Sequence, residues 1–556
     1  MQIKRYIQLI SNSPVFWIVT FMICIAPLAL TYTVHYSDER HYTNAAIQMA
    51  QTNDYFTPLQ DNGEPRFLKP VVTYWMIAAS YKLFGISVFS SRLPFLLAGI
   101  LLLFIAYRIA FRLTKNRDIS LAAMLIAASN PLLILSSSRS IPDLPQTLFF
   151  SIGALGLTGI FTSAHPHKKD LWLFYMGFAL AFATKGIPAA AFLFLSALFL
   201  LFNPWKKCSL KSLIHWPAIL IGTIVGLWWY ILMYILHGEL FVISFFNDQI
   251  GERVSGNHFR IAKNTAFALL AITGYFIFWI VPLFRLKLKP FFKNPETPQK
   301  YRLFATLTGL WTIVMFLFSI FTLKFYDRYF LPVFPLISVL IAVFLFSGYN
   351  KTPVRNFSII CHILFFIGAI ISIVSTVIAA RLGNPVTGSI SILLSALFCL
   401  RLFFPGRKGS LLSNTKTISV SILFVLLSTS LLAGNFSLPD QSKQIADWLF
   451  MHKTGIRGIT YYGSGKVAAK IRVATHGTIP VKCIKPLQQF IFLSDSLAIV
   501  VREDALPRDI PNEHNRLTIA SEWKSFPIHL LLFSSDLEKV KRNHTLNYKF
   551  IANSQK

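Results

Sequence analysis

Long apolar stretches alternate with short polar breaks along the first 435 positions, and all but the fifth, which is shorter, are roughly 17–24 residues, the length that crosses about 30 Å of hydrocarbon as a helix. Thirteen such stretches are predicted as membrane-spanning helices: 15–33, 94–111, 120–138, 145–163, 171–184, 187–203, 216–237, 264–284, 303–322, 331–348, 357–380, 386–403 and 417–434. Only Lys185-Gly186 separates the fifth from the sixth. Pro70 to Phe84 is apolar but broken by Tyr81 and Lys82, which predicts an interfacial or re-entrant helix rather than a full span. The first stretch is too long for a signal peptide and has no small-residue cleavage site, so it is expected to be retained. Near Asn435 the pattern changes to short mixed segments. There Ile459–Tyr462, Leu497–Val501 and Ile528–Phe533 are expected as strands and Lys466–Val473 as a helix, giving a small α/β domain. The expected organisation is therefore an α-helical polytopic membrane protein, with a membrane domain over 1–435 and a small soluble domain over 436–556.

Composition agrees with that division: 54% of the 556 residues are hydrophobic and 14% charged, more apolar than an ordinary soluble enzyme. The net charge of +30 would normally point to nucleic acid, but its placement does not. With the N-terminus inside, the alternate inner segments carry 23 Lys/Arg and three acids, against 13 and ten in the outer loops. Most of the basic excess therefore orients the protein, with a cytoplasmic N-terminus and an external C-terminal domain. Nucleic-acid binding loses its support. The five cysteines show neither disulfide nor zinc spacing. Gly463-Ser464-Gly465-Lys466 lacks the spacing of a phosphate loop and is expected to be a plain turn.

Chemistry is expected in the outer loops, which hold ten of the thirteen membrane-part carboxylates. Asp38 and Glu39 directly follow the first span, where an acid pair can orient or deprotonate a nucleophile; the competing reading is a solvated helix cap. Asp143 begins the fourth span and is either a second functional acid or an N-cap. Lys185 interrupts two apolar runs, which fits either a site cation or a snorkelling lysine. Asp248 and Arg253 follow a long outer segment and are either site charges or plain surface charges. Lys324, Tyr326, Arg328 and Tyr329 crowd one short outer loop, as an anionic headgroup would require, or as a plain interfacial belt.

Taken in order, Asp38-Glu39, Asn62-Gly63-Glu64-Pro65 with Lys69-Pro70, Ser90-Ser91-Arg92-Leu93-Pro94, Pro142-Asp143, Thr184-Lys185-Gly186 and Tyr329-Phe330-Leu331-Pro332 resemble the ArnT/protein-mannosyltransferase-like integral membrane glycosyltransferases. Within them the likeness is to the 4-amino-4-deoxy-L-arabinose transferase group. The resemblance implies a GT-C type fold in the bacterial inner membrane, with a cavity open to the periplasm and a periplasmic C-terminal domain. It implies a polyprenyl (undecaprenyl) phosphate sugar donor and an inverting transfer to lipid A or another envelope glycolipid. A protein acceptor is the alternative within the class, and a transporter of polyprenyl-linked lipids is the alternative outside it. By the resemblance Asp38 is the leading catalytic acid, with Tyr42, Lys69, Asp143, Arg253 and Tyr329 lining the cavity and Lys69 and Arg253 neutralising the carrier phosphate. Two positions associated with a bound metal in that group are here Leu68 and Asp248. One apolar and one carboxylate replacement argue against a retained divalent metal.

Overall fold

The computed structural model describes residues 10–31, 36–61, 63–163, 165–247, 257–283, 288–346, 354–404, 410–436, 440–451, 458–484, 498–505 and 516–552. Helix α1 (Pro14–Thr31) leads into α2 (Glu39–Thr52), α3 (Val72–Phe84), α4 (Val88–Thr114), the bent pair α5 (Arg117–Ala128) and α6 (Pro131–Ser137), α7 (Asp143–Thr162), α8 (Lys168–Lys185), α9 (Pro188–Phe202) and α10 (Trp216–Phe246). A second bent pair, α11 (His258–Gly274) and α12 (Ile277–Leu283), precedes α13 (Gln299–Ile320), a 3-10 helix (Asp327–Val333), α14 (Phe334–Phe346), α15 (Val354–Arg381), α16 (Pro385–Phe403) and α17 (Leu411–Phe436). Among the described residues, eight helical segments are long and apolar enough to cross a membrane, or up to ten with the bent pairs at 68° and 76°. The described parts of the thirteen predicted stretches fall mainly on helices, two of them on the bent pairs, but α1 and α9 have shorter apolar parts and α8 carries charge at both ends. The segment predicted to be interfacial forms α3, whose 13 residues are too few to span.

The α7–α8 hairpin shows how the sequence positions the site. Its glycines bring the two backbones together: a Cβ on Gly177 would lie 2.4 Å from the Gly153 nitrogen, and one on Gly156 would lie 2.5 Å from the Asp170 carbonyl. Phe150, Phe174 and Phe178 then interlock with Trp311 of α13. At one end of the hairpin Asp170 pairs with Arg112 of α4 at 2.7 Å. At the other end Asp143, the first residue of α7, meets Lys185, the last of α8, at 2.6 Å. Gly186 follows with φ +88°, a conformation that ends the helix and turns the chain into α9.

Beyond α17 the chain forms α18 (Gln441–Met451), β1 (Ile459–Tyr462), α19 (Gly465–Ala474), β2 (Val481–Ile484), β3 (Ala498–Arg502), β4 (Arg516–Trp523), α20 (Ile528–Phe533), α21 (Leu537–His544) and β5 (Thr545–Ala552). The sheet runs in the order β2-β1-β3-β5-β4, parallel among β2, β1 and β3 and antiparallel at β5 and β4. Gly463-Ser464 forms the turn between β1 and α19. One expected strand is corrected: Ile528–Phe533 is the helix α20. A run of four apolar residues has no alternation to select a strand, and here Pro527 starts a helical turn that packs Leu531 on Ile378 of α15.

Candidate active site

The first turn of α2 carries two adjacent acids that point to different places. Glu39 and Arg92 of α4 are both wholly buried, paired at 2.8 Å, and the Ser140 N–H donates to Glu39 Oε1 at 2.8 Å. Asp38 makes no capping bond with its side chain; it accepts from Arg328 at 2.7 Å and remains 38% exposed. Glu39 thus lies behind the wall of the cavity that Asp38 faces.

That cavity has a volume of about 670 Å³. The turn into α2 contributes Asp38, His41 and Tyr42; the following loop contributes Arg66, Leu68 and Lys69; the α7–α8 hairpin contributes Asp143 and Lys185. Lys324, Tyr326, Arg328 and Tyr329 close it from the loop after α13. Arg328 is the centre of the arrangement. Besides Asp38, its guanidinium lies 3.6 Å from Asp143, donates to the Tyr36 hydroxyl, and stacks 4.3 Å from the Tyr326 ring centroid. Arg139 lies 4.5 Å and Arg328 5.2 Å from the Tyr36 ring centroid, so two guanidinium groups meet that ring. Asp327 accepts from both the Arg328 backbone N–H and the Tyr275 hydroxyl, fixing the turn that carries Arg328.

Among the described residues, five cations (Arg66, Lys69, Lys185, Lys324 and Arg328) face two carboxylates (Asp38 and Asp143), so this part of the lining carries an excess of three positive charges. His41 adds none: burial, with the neighbouring Arg66 and Arg40 charges, pushes its imidazole down to about 4. Burial raises the Tyr42 hydroxyl well above its ordinary value, so it stays protonated as a donor.

Of the residues singled out from sequence, Asp38, Tyr42, Lys69, Asp143, Lys185, Lys324, Tyr326, Arg328 and Tyr329 line this one cavity. Asp248 and Arg253 lie outside the described residues. His41 and Arg66 were not singled out from sequence, although His41 follows Asp38 by three positions and so shares its helix face. Leu68 does line the cavity, and among the described residues no group of three or more His, Cys, Asp or Glu is placed to hold a metal ion. The side chain at that position, Leu68, is apolar and can ligate no metal.

Residues 68–231 match the family described as dolichyl-phosphate-mannose-protein mannosyltransferase. An uncharacterized protein of Aquifex aeolicus is 25% identical over 61% of this chain and 66% of its own length. The undecaprenyl phosphate-alpha-4-amino-4-deoxy-L-arabinose arabinosyl transferase 1 of Pseudomonas fluorescens is 27% identical over 47% of each chain, so the match spans about half of that relative. The crystal structure of ArnT from Cupriavidus metallidurans bound to undecaprenyl phosphate superposes with a TM-score of 0.69, covering 97% of each chain at 16% identity, which shows a shared fold. By sequence the chain resembles the protein mannosyltransferases over residues 68–231, and by fold it resembles ArnT over nearly its whole length.

Proposed function

We propose that the protein is an inverting glycosyltransferase of the bacterial inner membrane, moving a sugar from a polyprenyl phosphate carrier to an envelope glycolipid such as lipid A on the periplasmic face. The observation that carries this reading is the surplus of three positive charges around a cavity at the ends of apolar helices. A polyprenyl phosphosugar brings a phosphodiester of charge −1 and leaves as a phosphate monoester of charge up to −2, so the cations stabilise the leaving group more than the bound donor. That difference is what lowers a barrier. Lys69, beside Leu68 in the loop, and the Lys185–Asp143 pair are the groups best placed to meet that phosphate.

The reaction is a displacement at the anomeric carbon. A bond forms from the acceptor oxygen, the bond to the phosphate oxygen breaks, and its electron pair leaves on the phosphate. Where the acceptor is a hydroxyl, its proton passes to Asp38, which Arg328 holds at the cavity mouth. Where the acceptor is an ionised phosphate, Asp38 orients it and no proton moves. The test is incubation of the purified protein in detergent with a carrier-linked sugar and an envelope lipid extract. Release of polyprenyl phosphate with covalent transfer of sugar supports the proposal; intact donor would favour a transporter, which has no gradient or leaflet to work across in detergent.

A further inference from the structure

Among its described residues, the C-terminal domain places its most exposed large apolar side chain in an unexpected position. Phe533 is 85% exposed and ends α20, while Ile528 at the other end of that helix is 37% exposed. Helix α20 is fastened to the end of a membrane span: the Arg381 guanidinium, on the last residue of α15, donates to the carbonyls of Leu531 at 3.0 Å, Leu532 at 2.7 Å and Ser534. Leu531 packs on Ile378, and Val374 and Leu530 belong to the same apolar cluster. Val374 lies about 10 Å down the span from Arg381 at 1.5 Å per residue. Helix α20 therefore sits level with the last two turns of a helix that crosses the bilayer. An exposed phenylalanine at that depth borders lipid headgroups rather than open solvent.

The adjoining residues carry the matching charge. Asp536 caps α21 by accepting from the Lys539 N–H at 2.9 Å, and Glu538 pairs with Lys541 at 2.9 Å, so both acids of α21 and its cap are engaged. Lys524, Lys539 and Arg542 remain exposed on the same connection, with His529 on α20. We infer that α20 and α21 form a lipid-docking surface that seats the C-terminal domain on the leaflet it faces, Phe533 and Ile528 entering the interface and the cations meeting anionic phospholipid headgroups. Such a seat holds the domain at a fixed height beside the cavity; it is independent of the transfer reaction proposed above.

The test is amide hydrogen exchange on the full-length protein in detergent, in phosphatidylcholine nanodiscs, and in nanodiscs containing phosphatidylglycerol. Residues 528–544 should exchange several-fold more slowly with phosphatidylglycerol than in the other two settings, while β1 exchanges equally in all three. Phe533→Ser combined with Lys539→Glu and Arg542→Glu alters only exposed side chains and should remove that protection. Equal exchange in the two nanodiscs overturns the inference. Protection in detergent that rises with protein concentration also overturns it, because a second copy of the chain would then cover the surface.

Discussion

Asp38 and Glu39 are neighbours in sequence and opposites in setting. Glu39 is a wholly buried carboxylate held by a wholly buried guanidinium and by the backbone N–H groups of Tyr36 and Ser140, between α2, α4 and the turn before α7. Asp38 is held differently, because Arg328 serves both Asp38 and Asp143 while further cations face the same cavity. A closed pair can only hold the fold. An open array with surplus cations holds its shape and still attracts an anion, and this difference separates scaffold from chemistry more reliably than acid content does.

Breaking the sealed pair should have the largest effect on folding. Glu39→Ala leaves Arg92 buried without its carboxylate, at a cost of about 3–5 kcal/mol. Thermal unfolding in detergent should show a sharply lowered midpoint, and any activity should follow the folded fraction. An unchanged midpoint would mean that the buried pair does not hold the fold. Arg328→Gln should do the reverse. Asp143 keeps Lys185, so the midpoint should move little, whereas transfer should fall on the order of 10²–10³-fold through lost preorganisation of the cavity. Lys185→Met is a smaller change, because Arg328 still faces Asp143. It should reduce kcat by about tenfold with KM nearly constant if Lys185 acts on the leaving phosphate, an effect of about 1.4 kcal/mol.

A further effect concerns pH. His41 is neutral in the folded protein down to about 4, whereas an unperturbed histidine takes its proton near 6.5. Between those values the unfolded chain binds the extra proton, so stability falls as pH drops from about 6.5 to 4 and levels off below. His41→Gln should flatten this part of the stability profile, measured as midpoint against pH; an unaltered slope would place its origin elsewhere.

Much of the membrane architecture was legible because a run of apolar residues long enough to span has few other uses. The residues around the cavity were legible for a related reason: a charge at the end of such a run is costly unless it has work to do. What the sequence hid was pairing. Nothing local tells that Glu39 answers to Arg92, 53 positions away, while Asp38 answers to Arg328, 290 positions away. Arg66 was equally hidden, since it reaches the cavity from a loop whose path depends on tertiary contacts. Helix α20 was misread because a short apolar run fits strand and helix alike until Arg381 and Ile378 select one.

The most direct test of the central claim is turnover of purified polyprenyl-phosphate-linked sugar by the wild-type protein beside Asp38→Asn and Lys69→Ala, with folding checked by thermal midpoint. The account predicts that Asp38→Asn loses about 10²–10⁴-fold of transfer to a hydroxyl acceptor, and that Lys69→Ala also loses transfer clearly, both with midpoints close to wild type. Near-normal transfer in both variants would contradict it and remove the cavity as the site of reaction.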